Sequence, residues 1–219
     1  MHEIQQRVLT TLMNTDYARF RDLKVPDVDS NQFVYHLKRL LTEELIVKKG
    51  INYSLTSKGK EYVGRLSSLN YQVRIQPKIV TLIVAKDVKG RYLLYQRRLQ
   101  PFIGKVGFPY GKIHLGETIA KAAQRELVEK CGLKAKLEHI GDAYVVSYEQ
   151  DELISHMLFH VFLATEVTGK LIESSKYGTF FWEEVTSTNS TRFFPGFAEI
   201  FKAVQVKTKP FFLEVEHRH

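Results

Sequence analysis

The chain has a single cysteine, Cys131, among 219 residues. No internal disulfide can staple it, and a reducing, cytoplasmic setting is expected. Long apolar runs are also missing: nothing approaches the ~18 residues needed to cross a bilayer. Met1-His2-Glu3-Ile4 carries neither the basic nor the apolar region of a secretory leader, so secretion is not expected either. Internal repeats and low-complexity tracts are absent, which excludes collagen-like and disordered classes. What remains is ordinary for a globular protein, with 44% apolar and 26% charged residues, enough for one large domain or two small ones. Acidic side chains are the scarcer charge, 24 against 32 Lys and Arg, leaving +8. That surplus suits an anionic partner such as nucleic acid or phosphates.

Two segments follow different patterns. Residues 3–14 set Ile4, Val8, Leu9 and Leu12 on one helical face. A short helix is expected over 17–23, then a turn at Pro26, Asp27 and Asp29, with Ser30 as N-cap of a helix running to 44. Leu45-Ile46-Val47 and Tyr53-Ser54-Leu55 read as a hairpin around Gly50, followed by a helix over 57–66. From residue 72 the pattern becomes strand-rich: 79–84, 92–95, 137–147, 156–167 and 179–182, with helices over 118–131 and 196–205. Strands and helices mix without strict alternation, which predicts an α+β fold with a mixed sheet. The boundary is expected near 68–76, with Ser67-Ser68-Leu69-Asn70 as its most linker-like stretch, giving domains over 1–70 and 71–219.

Tyr35-His36-Leu37-Lys38-Arg39-Leu40-Leu41, the hairpin with Lys48-Lys49-Gly50, and Ser57-Lys58-Gly59-Lys60 together resemble a winged helix-turn-helix over residues 3–66. Such a domain keeps apolar residues inward and shows polar ones to the major groove. Ser30, Asn31, Gln32, His36 and Arg39 are expected on that outer face, and Lys48 beside the wing would meet phosphate. Arg39 and Lys48 are the nucleic-acid-binding candidates. Residues 1–70 carry eleven basic and eight acidic side chains, a modest footprint for DNA. A protein-interaction module is the plainer alternative.

The second motif carries more chemistry. Gly111-Lys112-Ile113-His114-Leu115-Gly116-Glu117 leads into Arg125-Glu126-Leu127-Val128-Glu129-Lys130-Cys131-Gly132-Leu133. On a helix, Ala120, Ala123, Leu127 and Cys131 form a packing stripe. Glu126 and Glu129 are neighbours on an adjoining face, where two carboxylates repel unless a cation sits between them. Mg²⁺ prefers such oxygen ligands and completes its shell with water and substrate phosphates.

These residues resemble the Nudix box, G-x5-E-x7-R-E-U-x-E-E-x-G-U with U a bulky aliphatic. Gly111, Glu117, Arg125, Glu126, Leu127, Glu129, Gly132 and Leu133 match eight of nine specified positions. Gly107-Phe108-Pro109, Leu93-Leu94-Tyr95-Gln96-Arg97-Arg98 and Phe181-Trp182-Glu183-Glu184-Val185 extend the resemblance to residues 76–205. It implies a Nudix-type α/β/α sandwich with a mixed sheet, following the winged helix-turn-helix. It also implies hydrolysis of a nucleoside diphosphate linked to another group, X, with Mg²⁺ or Mn²⁺ neutralising the diphosphate. Glu126 would then accept a proton or bind metal, Glu129 and the Tyr110 carbonyl would bind metal, and Arg125 and Glu117 would orient the site. Arg97 and Glu173 are the substrate-binding candidates, with Glu149, Asp151 and Glu152 as further carboxylates.

One departure stands out. Lys130 replaces the second Glu of the E-E pair, supplies no metal ligand, and sits i+4 from Glu126, where the two can pair. It favours a second reading, a ligand-sensing DNA-binding regulator with a weak or inactive Nudix domain; an interaction adaptor is a third. No His-His-carboxylate or Cys-His spacing suggests zinc. His156 and His160 alternate along a strand and read as packing; Cys131 reads as a buried small hydrophobe, and Phe193, Phe194 and Phe197 as core, with the lining of a base pocket as the alternative. The partner is expected to be a nucleotide-like diphosphate, with DNA at the winged helix, and a homodimer is compatible with the sequence.

Overall fold

The computed structural model describes residues 1–67, 70–188, 191–206 and 210–218. The chain divides into two compact units, Met1–Gln76 and Pro77–His219. The division falls at the end of the expected 68–76 stretch, so the first unit extends beyond the expected range of 1–70. The Tyr71 carbonyl accepts from Gln6 and Arg74 N–H bonds the Arg65 carbonyl, tying this stretch to the first unit. Ser68 and Leu69, the centre of the linker-like stretch, lie outside the described residues.

In the first unit, α1 (Glu3–Met13) starts where His2 accepts from Ile4 N–H and Gln5 reaches back to His2 N–H. Its buried face is Ile4, Val8, Leu9 and Leu12. The helix expected over 17–23 shrinks to α2 (Phe20–Leu23), because β1 (Ala18–Arg19) pairs antiparallel with Asn52 and Tyr53. Asp29, not Ser30, caps α3 (Ser30–Thr42): its Oδ1 accepts from the Asn31 and Gln32 N–H groups. Phe33, Leu37 and Leu40 turn inward. Strands β2 (Ile46–Lys49) and β3 (Asn52–Leu55) form the hairpin, with Gly50 at φ +60°, and the sheet order is β1-β3-β2. Helix α4 (Ser57–Gly64), capped by Thr56, closes the core with Val63. A Cβ on Gly59 would stand 1.9 Å from the Leu45 carbonyl oxygen, so only glycine lets α4 pack so closely.

The second unit opens with β4 (Lys78–Ala85), β5 (Tyr92–Arg97), β6 (Val106–Gly107) and β7 (Tyr110–Lys112). Helix α5 (Ile119–Cys131) follows, then two long strands, β8 (Leu133–Glu149) and β9 (Glu152–Gly169), β10 (Gly178–Glu183), α6 (Phe197–Gln205) and β11 (Phe211–Arg218). Five strands form a mixed sheet in the order β11-β8-β9-β4-β7, with β11 parallel to β8 and β4 parallel to β9; β10-β5-β6 form a second, antiparallel sheet. Successive residues of β4 face opposite sides. Val80, Leu82 and Val84 pack with Phe197 and Ile200 of α6, while Ile83 and Ala85 pack with Leu127 and Cys131 of α5. The two helices therefore cover opposite faces of the mixed sheet.

Strands β8 and β9 outrun the expected 137–147 and 156–167 because the ladder continues to a two-residue turn, Gln150 and Asp151, both at positive φ. Register shifts interrupt it, one of them between His139 and Gly141. Strand β11 has no counterpart among the expected strands.

Candidate active site

Strand β7 leads directly from the mixed sheet into the loop before α5, so Tyr110 and Gly111 lie beside the helix. Thr118 caps α5, its side chain accepting from Lys121 N–H, and Gly132 ends it in the left-handed region at φ +69°. A Cβ on Gly111 would stand 1.8 Å from the Glu126 carboxyl carbon, so glycine opens the space that carboxylate fills. Glu126 is 6% exposed.

Arg125 organises the carboxylates. Its Nε and Nη2 each donate at 2.9 Å to the two oxygens of Glu117, a forked pair. Nη2 also reaches the Lys112 carbonyl at 2.9 Å, and Nη1 reaches Glu126 Oε1 at 2.9 Å and Glu129 Oε2 at 3.3 Å. The fork from Arg125, with the His114 N–H, holds the Glu117 carboxyl down to about 2. The same contacts push the Arg125 guanidinium upward, so it stays charged throughout.

The other end of Glu126 meets Lys130. The ammonium Nζ is 2.7 Å from Glu126 Oε2 and donates to the Tyr110 carbonyl at 2.7 Å. The contact with Oε2 is close but poorly directed: among the described residues that oxygen has no hydrogen-bond partner of good geometry. The rings of Tyr177 and Tyr110 stand 5.1 Å and 5.9 Å from Nζ.

The donor set bears on the divalent ion expected for such a box. Glu126 Oε2, Glu129 and the Tyr110 carbonyl are hard oxygen donors of the kind Mg²⁺ takes. The absent Gly111 side chain makes room for the Glu126 carboxylate, which brings Oε2 beside the Tyr110 carbonyl, where both meet Lys130 Nζ. Nζ already stands between two of those three oxygens, so ion and ammonium exclude one another. The donors fit the ion only when Lys130 turns away.

The other candidate residues fall in different places. Arg97 spends its guanidinium on the 99–101 loop: Nε donates to the Leu99 and Pro101 carbonyls at 2.7 Å, Nη2 to Gln100 at 3.1 Å, and Nη1 to the Tyr110 hydroxyl at 3.1 Å. Glu173 is exposed, its carbonyl accepting from Phe180 N–H. Glu149, Asp151 and Glu152 lie at the β8–β9 turn, where Asp151 pairs with Arg218 at 2.9 Å. Among the described residues no hydrogen bond or ion pair joins these four acids to the box. In the first unit, Arg39 is exposed and pairs with Glu43 at 3.2 Å, and Lys48 stands 5.5 Å from the Tyr53 ring. His36 is not on the outer face as expected: it is 7% exposed, stacked on His2 at 4.0 Å, and burial lowers its pKa.

Two features were legible in the sequence only in part or not at all. A cleft on the α6 side of the sheet is lined by Phe102, Phe108, Tyr110, Phe159, Phe194 and Phe197, with Ser147 and Ser155 as polar neighbours. It adjoins the box because Tyr110 belongs to both. Phe194 and Phe197, read first as core with a pocket lining as the alternative, line this cleft. The second is a convergence of His139, Asp142 and His160. The expectation of no His-His-carboxylate grouping, with His160 as simple packing, is corrected by a strand irregularity that sequence spacing does not show.

Residues 76–203 match the NUDIX domain family. The chain is 29% identical over 124 residues to an ADP-ribose pyrophosphatase of Methanocaldococcus jannaschii, covering 54% of this chain and 71% of that protein. It is 34% identical over 100 residues to an oxidized purine nucleoside triphosphate hydrolase of Danio rerio, covering 45% of this chain and 62% of the relative. Among solved structures, a MutT protein of Bacillus halodurans superposes with a TM-score of 0.55 at 25% identity, covering 64% of this chain and 90% of that one. The NUDIX domain of Shewanella oneidensis NrtR, solved with ADP ribose, shares the fold, with a TM-score of 0.50 at 15% identity and coverage of 69% and 97%.

Proposed function

The chain belongs to the NUDIX family, and from that premise we propose that it hydrolyses the diphosphate linkage of a nucleoside diphosphate joined to a further group. The observation that carries this reading is Glu126: a buried carboxylate, locked on one oxygen by Arg125, with its second oxygen held, among the described residues, only by the Lys130 ammonium, which also meets the Tyr110 carbonyl. A carboxylate so held can take a proton from an attacking water or join a cation. Glu126, Glu129 and the Tyr110 carbonyl would hold Mg²⁺ or Mn²⁺, which supplies charge neutralisation at the diphosphate. The aromatic cleft beside Tyr110 suits a flat base. Two of the three oxygens that would bind the ion are those Lys130 engages, so the metal requirement should be higher than for an all-carboxylate box. The names of the two related proteins set the first substrates to try: ADP-ribose and oxidised purine nucleoside triphosphates. Product release is to be followed across a Mg²⁺ and Mn²⁺ titration. Silence with every diphosphate, in the wild type and in Lys130→Glu, would remove the hydrolase reading.

Lys130 favours a second reading, in which the NUDIX domain binds such a ligand without cleaving it and the first unit is a winged helix-turn-helix on DNA. The order of α1, α2, α3 and the β2–β3 hairpin supports that identification. So do the exposed Ser30, Asn31, Gln32 and Arg39 on α3 and the exposed Lys48 and Lys49 on β2. In this reading ligand and DNA must change one another's affinity by the same factor. Absence of DNA binding at low salt would leave the first unit as an interaction module.

A further inference from the structure

We infer that His139, Asp142 and His160 form a binding site for a transition-metal ion of the Zn²⁺ class, distinct from the box on α5. His139 and Asp142 belong to β8 and His160 to β9. Asp142 Oδ1 is 2.9 Å from His139 Nε2 and 2.7 Å from His160 Nδ1, and the three ligand atoms all lie within 4.8 Å of one another.

Regular strand geometry would forbid this grouping. Side chains alternate along a strand, so residues three apart point to opposite faces. The pairing jumps from His139↔Phe162 to Gly141↔Val161, leaving Ile140 as the extra residue of a bulge. Beyond it Asp142 stands opposite His160, and His139 lies against the Phe162 ring at 5.4 Å, so all three side chains share one face. The bulge is held in place by its glycine. Gly141 has φ +153°, and a Cβ there would stand 2.4 Å from the carbonyl oxygen of Phe211, its partner on β11. Any larger residue would push β11 away.

The donor chemistry chooses the ion. Two imidazole nitrogens and one carboxylate oxygen suit Zn²⁺, Co²⁺, Ni²⁺ or Cu²⁺, whereas Mg²⁺ prefers oxygen alone. Both rings now aim a nitrogen at one oxygen; a metal replaces the protons between them. Tetrahedral Zn²⁺ holds such ligands ~3.4 Å apart, so the nitrogens must withdraw from the oxygen by roughly half an ångström. His139 and Asp142 are 41% and 32% exposed in their side chains and His160 16%, which gives the ion an entry side and leaves one coordination position for water. Thr81, paired with His160 across β4 and β9, carries a buried hydroxyl that lacks a hydrogen-bond partner among the described residues, a polar neighbour on the same face.

The test uses the full chain stripped by chelator and titrated calorimetrically with Zn²⁺, then with Co²⁺ followed by visible absorption. One equivalent should bind, with the intense bands of four-coordinate Co²⁺. His139→Ala, an exposed change that should fold normally, and Asp142→Asn should each weaken Zn²⁺ binding by about tenfold or more. Glu126→Gln should leave it unchanged. No binding at micromolar Zn²⁺ would overturn the inference and leave a His–Asp–His hydrogen-bonded cluster. So would binding that survives both His139→Ala and Asp142→Asn.

Discussion

Arg125 and Lys130 lie five residues apart on one helix and grip opposite oxygens of the same carboxylate, yet they hold it in different ways. Arg125 meets Oε1 of Glu126 with a guanidinium already forked onto Glu117 and tied to the Lys112 carbonyl. Lys130 meets Oε2 with a single ammonium that has the Tyr110 carbonyl as its only other oxygen partner among the described residues. A planar five-donor group on several anchors is fixed; a point charge on a four-carbon stem is replaceable. One side of Glu126 is therefore architecture and the other is a position a different cation can contest.

The largest effect expected from breaking this contrast is on the fixed side. Arg125→Met should cost roughly 2–4 kcal/mol of unfolding free energy, because Glu126 stays buried with one oxygen deserted. Arg125→Lys should recover only part of it. Equal midpoints in urea for all three proteins would mean the fork adds nothing.

Next comes Glu126→Gln, which keeps the side-chain size. Turnover of whichever diphosphate the enzyme accepts should fall on the order of a hundredfold while circular dichroism shows the fold retained. Full activity in this variant would move the chemistry to another carboxylate.

Lys130→Glu sharpens the comparison from the replaceable side. It removes the competing ammonium and adds an anionic oxygen, so Mn²⁺ affinity read by electron paramagnetic resonance should rise by about tenfold. Unchanged affinity would show that the lysine swings aside at no cost.

Acid provides a finer test of the fixed side. The Glu117 pKa is depressed from 4.5 to about 2 in the folded chain, chiefly by the Arg125 hydrogen bonds. Its contribution to stability is therefore complete above pH 4.5 and fades as the pH falls towards 2. Glu117→Gln should be less stable than wild type at neutral pH, and the gap should close over that window. A gap constant from neutral to acid would refute the linkage.

Smallest of all, and in the other unit, Lys48→Ala should weaken any DNA binding alike for all sequences and reduce the salt slope by about one. An unchanged slope would take Lys48 out of the contact.

The box helix was readable because its identity rests on local spacing: Thr118 to Cys131 forms one capped helix, and Arg125, Glu126 and Glu117 meet through that helix and the loop before it. The i+4 pairing of Lys130 with Glu126 was readable for the same reason, but the Tyr110 carbonyl as its second partner depends on how β7 approaches α5. Features set by distant pairing stayed hidden. Strand β11 is added by parallel pairing to β8, which no hairpin signal announces. The His139 bulge shifts register by one residue, and period-two reasoning then puts Asp142 on the wrong face. His36 looked like an outward polar residue because nothing in the spacing shows that His2 stacks on it.

Cys131 offers a use that follows from its place under the box helix. It is fully buried, it is the sole cysteine, and burial pushes its thiol up to about 12. A maleimide or a disulfide reagent can reach that sulfur only when α5 lifts from the sheet or the unit opens as a whole. The rate of its labelling is then a clock for that opening, wired into the natural sequence without any added probe. A ligand that tightens the domain slows the clock, one that binds elsewhere leaves it running, and a variant such as Arg125→Met should speed it by the factor its lost stability dictates.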